Sequence, residues 1–215
     1  MLITANFATW SARKGWIDKA VSSIIDQVDI VRVYYNDYAP KKRNDIIQYT
    51  GEDLTDRGKF YGIGKGEIAF TCDDDLLYPP DYVESTLERM KEYPNCVVSY
   101  HGRKLKGKGL NYYRGHETYH CLQPLSFDKT IDVGGTGVMA FNTNDILPDV
   151  CSYSQQKMSD ILMGLECKKK GIKSICLKHN FGWLQVLTNV KSIYNDQVMN
   201  CDEQNRLADE IFLFN

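Results

Sequence analysis

Gly66-Glu67-Ile68-Ala69-Phe70-Thr71-Cys72-Asp73-Asp74-Asp75 is the stretch on which the fold turns. Glu67 to Cys72 is apolar and β-leaning, which predicts a strand, and it runs straight into three consecutive carboxylates. Beyond them Leu76-Leu77-Tyr78-Pro79-Pro80 breaks the run, and Pro79-Pro80-Asp81 opens a helix that should reach Tyr93, because proline suits a first helical turn. The aspartates therefore cap the carboxyl end of a strand that leads into a helix, where open α/β sheets hold their ligands.

Working outward, the same alternation recurs. Leu2 to Thr9 reads as a strand, and Ile17, Ala20, Val21, Ile24 and Ile25 follow at helical spacing. Ile30 to Tyr35 is a second strand, broken by Asn36-Asp37-Tyr38-Ala39-Pro40. Asp53 to Gly64 reads as a loop feeding a short helix. Downstream, Cys96 to Tyr100, Gly137 to Phe141 and Ile172 to Leu177 are strands, and Lys157 to Lys170 is a helix. Gly102 to Phe127 is polar, rich in glycine and tyrosine and without a period, which predicts loops and irregular hairpins. The alternation favours an α/β fold with a mostly parallel sheet covered by helices on both faces.

Composition bounds the function. The 215 residues are 43% hydrophobic and 25% charged, with a net charge of −2. That is a globular balance, long enough to bury a real core in one domain, and it supplies no global field for nucleic acid or an anionic membrane. Seven cysteines form no CxxC pair, so neither a disulfide framework nor a zinc ribbon is expected. No signal peptide or membrane span is visible, so a cytoplasmic protein is expected. The apolar Ile211-Phe212-Leu213-Phe214 end of the Asp202 to Asn215 tail leaves room for a longer polypeptide of which this is one module.

Three carboxylates in a row repel by about 3 kcal/mol for each pair, taking about 5 Å and an effective dielectric of about 20. A divalent cation would relieve them, and an all-oxygen set suits Mg²⁺ or Mn²⁺, with phosphate oxygens and waters completing the octahedron. In extended backbone Asp73 and Asp75 point one way and Asp74 the other. Alone, the triplet is equally a helix start or a solvated turn.

The Gly66 to Asp75 stretch resembles the DXD region of GT-A-fold glycosyltransferases close to family 2. More narrowly, the chain resembles the N-terminal glycosyltransferase domain of a large chlorella-virus protein implicated in capsid glycan synthesis. The resemblance implies a GT-A nucleotide-diphospho-sugar transferase domain over residues 1–215, with a nucleotide-binding part over about 1–101 and an acceptor part over about 102–215. It implies a UDP-sugar donor, Mn²⁺ (or Mg²⁺), a glycan or glycoprotein acceptor and, if viral, the host cytoplasm. Thr9 and Arg13 match the family's T-x-x-x-R opening at the nucleotide, although Arg13 reads equally as an exposed residue before a helix. Asn36-Asp37 stands where the family reads uracil, or is a turn. Asp56, Arg57 and Lys59 match a segment that reaches base and diphosphate, or form a charged loop.

Asp132-Val133-Gly134-Gly135-Thr136-Gly137 is too glycine-rich for a strand interior and resembles the loop lining the sugar pocket, with Gly134 and Gly135 at the sugar. Asp160, in Lys157-Met158-Ser159-Asp160, matches an acidic motif facing the acceptor, where it would act as catalytic base; its alternative is an aspartate meeting a helix dipole. The family motif carries two acids, and Ser159 takes the first place here. His179 resembles the family's closing metal or diphosphate ligand, and Trp183 in the same segment offers an aromatic face to a sugar; both have ordinary structural alternatives. Asp75 is expected to ligate the metal directly, with Asp73 shared between metal and nucleotide and Asp74 at the nucleotide. The basic stretch Arg103 to Arg114 is expected to be an acceptor-side loop rather than a nucleic-acid site. The rival functions are a nucleotidyltransferase and a silent glycan-binding module; the first is disfavoured because Ala8 to Arg13 holds no glycine.

Overall fold

A computed structural model of the chain describes residues 1–187 and 201–214. Its centre is an eight-stranded sheet. The first half contributes β1 (Leu2–Thr9), β2 (Ile30–Tyr35), the short edge strand β3 (Ile47–Thr50) and β4 (Glu67–Cys72). These four are mutually parallel, in the order β3-β2-β1-β4. The tiny β5 (Leu76–Leu77) follows β4, and the second half of the sheet begins with β6 (Cys96–Ser99). Next come β7 (Gly102–Lys104), β8 (Glu117–Tyr119), β9 (Lys129–Ile131), β10 (Val133–Gly134) and β11 (Val138–Asn142). Strand β12 (Lys173–Cys176) and the two-residue β13 (Gln185–Val186) complete the set. The sheet continues β11-β6-β12-β9 beyond β4; β6 and β12 are parallel, while β11 and β9 run against their neighbours.

Period-two alternation decides which side each strand residue faces. Phe70, Cys72, Val138 and Ala140 join the core under α1 (Ile17–Ser22) and α2 (Tyr82–Glu92). Ala69, Met139 and Phe141 join the opposite core under α3 (Ser159–Lys169) and α4 (Asp202–Phe212). A fully buried Phe, Val or Met among them contributes about 1.5–3 kcal/mol. The fold is thus mixed α/β, with a large and mainly parallel sheet flanked by helices on both faces, as expected from the alternation.

The α3 face of the sheet also holds charge. Arg32 on β2 forks onto Glu67 on β4, Nη1 to Oε2 and Nη2 to Oε1 at 2.8 Å each, and Thr4 on β1 donates to the same carboxylate at 3.0 Å. The three parallel strands are therefore tied by side chains as well as by their ladder.

Two parts differ from the sequence reading. Edge strands β3 and β9 were not expected, because they are only four and three residues long and mostly exposed or half-buried. The tail is helix α4, packed on α3 through Leu207, Ala208 and Ile211, so most of its apolar face is satisfied within the chain. Leu213 and Phe214 remain exposed, and Asn215 lies outside the described residues. Gly102 to Phe127 does form hairpin structure, the antiparallel pair β7 and β8 with β10 alongside. No helix among the described residues is long and apolar enough to cross a membrane.

Candidate active site

Strands β1, β2 and β4 end on one edge of the sheet, antiparallel β11 begins there, and so does α3. Their termini enclose a cavity of about 900 Å³. The backbone N–H of Asp73 donates to Gly137 O (3.2 Å) and to the Tyr78 hydroxyl (2.7 Å), and that hydroxyl donates to Gly137 O at 2.7 Å. A buried tyrosine thus clamps the end of β4 to the start of β11 and fixes where the aspartates stand.

The extended backbone does not continue through the triplet: Asp74 and Asp75 lie in a turn and share Arg13, while Asp73 pairs with Lys59. Asp74 is buried; its Oδ2 accepts from Thr9 Oγ1 at 2.7 Å and its Oδ1 from Arg13 Nη1 at 3.0 Å, joining the ends of β1 and β4. Burial, only partly offset by Arg13, pushes its carboxyl up to about 6. Asp73 has a side chain 45% exposed to the cavity and accepts from Lys59 Nζ at 2.5 Å. Burial works to raise its carboxyl, but Lys59 outweighs it and holds the group below the usual range. Asp75 pairs with Arg13, and burial together with Asp73 raises it. The repulsion that seemed to require a metal is therefore relieved in part by Arg13 and Lys59.

Several expected nucleotide contacts are occupied by the protein. Thr9 spends its hydroxyl proton on Asp74. The Asn36 amide donates to Thr9 O (3.1 Å) and Thr55 O (3.0 Å) and accepts from Leu54 N (3.0 Å), which makes it a staple between β1 and the 3-10 turn over Thr55–Phe60. Asp37 holds Ser11 N at 2.7 Å and Ser11 Oγ at 2.5 Å. Asp56 caps α3 from a distance in sequence, accepting from Ser159 N (2.9 Å) and Ser159 Oγ (2.7 Å). Thr9, Arg13, Asn36, Asp37, Asp56 and Lys59 nevertheless all line the cavity. Arg57 does not: it is buried with Nε on Leu54 O, and the reading of it as a phosphate contact is corrected.

On the other wall, Thr136 holds Asp160 Oδ1 through its N–H (2.7 Å) and its hydroxyl (2.6 Å), so the carboxylate at the head of α3 is fixed in the cavity. Gly135 lines the cavity with His101 packed against it, leaving no room for a Cβ. Gly134 lies behind it against Met139 and Ser99, away from the cavity. The glycine that matters most is Gly137, where a Cβ would overlap the Asp73 carboxylate. None of these three has a positive φ, so close approach is their reason.

The structure does not bring two of the expected residues to the cavity. His179 turns Nδ1 to Leu177 O (2.9 Å) and Nε2 toward His120 O (3.4 Å), and it does not line the cavity. Trp183 packs on Tyr82 and Tyr100 and donates to Asp81 at 3.0 Å, also away from the cavity. Both serve packing and backbone satisfaction. His101 and His120, which the sequence reading missed, line the cavity together with Arg103, Tyr112 and Tyr113 from the basic stretch, whose individual residues it did not single out as site residues. Burial, with Arg103 and His120 adding to it, pushes His101 down to about 3, so this ring is neutral. The tyrosine-rich basic stretch was the available signal, and its lack of a period hid which residues turn inward.

Among the described residues no group of three His, Cys, Asp or Glu is arranged to hold a metal unaided. Asp73 and Asp75 line the cavity one residue apart, and Mg²⁺ or Mn²⁺ bound mainly through ligand phosphates asks for no more than two such carboxylates.

No family model and no curated protein matches the chain. Among solved structures, the crystal structure of S. aureus TarS covers 99% of this chain at 13% identity with a TM-score of 0.51. That of S. aureus TarS 1-349 covers 84% at 15% identity with a TM-score of 0.44. The chain spans 42% and 59% of those two chains, respectively. What this chain shares with TarS is the fold, across nearly its whole length.

Proposed function

We propose that the chain is a metal-dependent glycosyltransferase that takes a UDP-sugar and passes the sugar to a hydroxyl of a glycan. One observation carries the reading: Asp73, Asp75, Lys59, Arg13 and Asp160 converge in a single cavity at the carboxyl edge of the sheet. The fold shared with TarS, a glycosyltransferase, supports it. Uridine, and a capsid glycan as acceptor, rest on the sequence resemblance.

Asp73 and Asp75 are the residues that would hold Mn²⁺ or Mg²⁺, through oxygens alone; His179 has no part. The cation, when bound, supplies Lewis-acid stabilisation of the diphosphate leaving group. Lys59 and Arg13 add fixed positive charge on the same side, where negative charge develops as the bond from the anomeric carbon to the diphosphate breaks. On the far side, in an inverting transfer, Asp160 takes the proton of the acceptor hydroxyl as its oxygen bonds to the anomeric carbon. Thr136 keeps Asp160 oriented for that step. The products are the glycosylated acceptor, UDP and a proton.

Calorimetric titration with UDP, CDP, GDP and ADP tests the nucleotide part. UDP is expected to bind in Mn²⁺ and to lose its affinity in EDTA. Equal binding of all four, or binding indifferent to EDTA, contradicts the proposal.

A further inference from the structure

Arg103 sits on β7 at 5% exposure, lines the cavity, and has no carboxylate within ion-pair distance among the described residues. Its guanidinium lies 4.7 Å from the ring centre of Tyr112 and 5.4 Å from that of Tyr113. Its Nε and the Tyr112 hydroxyl are buried without a hydrogen-bond partner. Cation–π contact returns about 0.5–2 kcal/mol, whereas removing an ion from water costs several. Arg13 and Arg32, equally buried, each meet a carboxylate. Arg103 is held by aromatic faces that leave its fork without one.

The surroundings give this cation its sign and side. His101, His116 and His120 are all pushed down by burial, with Arg103 adding to the effect. Among carboxylates, Asp160 has the largest effect on Arg103. Asp160 is in turn felt by Lys59, on the Asp73 side. Arg103 on β7 pairs with Val133 on β10, the strand that leads to Thr136 and so to the candidate base it holds, whereas the triplet ends β4; Arg103, Asp160 and the triplet all line one cavity. A group that meets Arg103 lies on the acceptor side of the reaction centre.

We infer that Arg103, with Tyr112 and Tyr113, forms an acceptor subsite for a sugar bearing an anionic group, a carboxylate or a phosphate. The planar fork pairs with either anion, and the tyrosine rings offer faces to the sugar. This rests on the glycosyltransferase reading only for the word acceptor; the anion preference stands on Arg103 itself.

The test uses the chain saturated with UDP and Mn²⁺, titrated with methyl glucuronide, glucose 6-phosphate and neutral methyl glucoside while ligand NMR signals are followed. At least one anionic sugar is expected to bind about tenfold more tightly than the glucoside, as charge-assisted hydrogen bonds imply. Arg103→Gln should erase the difference and Arg103→Lys should keep part of it, with melting temperatures checking that both variants fold. The two anionic probes separate carboxylate from phosphate. A parallel comparison of UDP-glucuronic acid with UDP-glucose tests the donor: a preference there that Arg103→Gln removes overturns the assignment to the acceptor. Equal binding of charged and neutral sugars, or a preference that survives Arg103→Gln, overturns the subsite. Failure to bind UDP, with the anion preference intact, overturns the glycosyltransferase reading and leaves the subsite standing.

Discussion

The Asp73 carboxylate rests against the backbone of Gly137, in the space a side chain at 137 would fill. Strand β11 begins at that point, and the Asp73 N–H is bonded to Gly137 O at 3.2 Å. Gly137→Ala should therefore push Asp73 out of place while the sheet stays intact. Metal-dependent UDP binding should fall at least about tenfold, the size of a lost charge-assisted contact, with little change in melting temperature. Unchanged binding would show that the position of Asp73 is immaterial.

Asp75→Ala removes one of the two carboxylates proposed to hold the cation but leaves Asp74 to hold Thr9 and Arg13. The variant should fold and lose Mn²⁺-dependent UDP binding, measured by calorimetry. Asp74→Ala should act differently: it leaves buried Arg13 short of a partner, so lower stability should dominate, by about 3 kcal/mol. If Asp75→Ala binds UDP and Mn²⁺ as the unaltered chain does, Asp75 is not a metal ligand.

Asp160→Asn keeps the shape of the side chain and removes its basicity. Turnover should drop about 10²- to 10⁴-fold, the usual contribution of a general base, while UDP binding persists. A full-rate variant would reduce Asp160 to a partner for Thr136.

The Arg32–Glu67 pair makes a prediction about pH. Burial works to raise the Glu67 carboxyl, but Arg32 and Thr4 outweigh it and hold it below its ordinary value of 4.5. A carboxyl depressed in the folded state stabilises above that ordinary value, and the stabilisation is lost as pH falls through the folded one. Arg32→Ala should cost about 3 to 5 kcal/mol by urea unfolding near neutral pH. The gap from the unaltered chain should narrow in acid as Glu67 protonates. A gap that stays constant with pH would assign the cost to packing alone.

The sheet was legible wherever burial writes a pattern. Leu2–Thr9, Ile30–Tyr35 and Glu67–Cys72 are strands over the residues expected, because both their faces are covered and apolar residues dominate. Ile47–Thr50 lies at an edge, is only four residues long and has no buried residue. At the site, Asp73, Asp75, Lys59 and Asp160 could be named because carboxylates and cations at strand ends and helix starts stand out in one dimension. Whether a polar residue faces a ligand or another residue is a three-dimensional matter. Asn36 and Asp37 turn to neighbouring loops, and His179 turns to two carbonyls, for reasons no local spacing encodes. Arg103 was hidden in the opposite way, within a basic stretch whose residues are mostly solvated.

The central claim is that this cavity breaks the bond between a sugar and UDP with the help of a divalent cation. Free UDP, followed while the chain is incubated with a panel of nucleotide-sugars with and without Mn²⁺, measures that directly. Release of UDP from at least one UDP-sugar, dependent on Mn²⁺ and lost in Asp75→Ala, is the predicted result. No release from any UDP-sugar, alongside pyrophosphate release from a nucleoside triphosphate and a sugar phosphate, would contradict it and make the chain a nucleotidyltransferase.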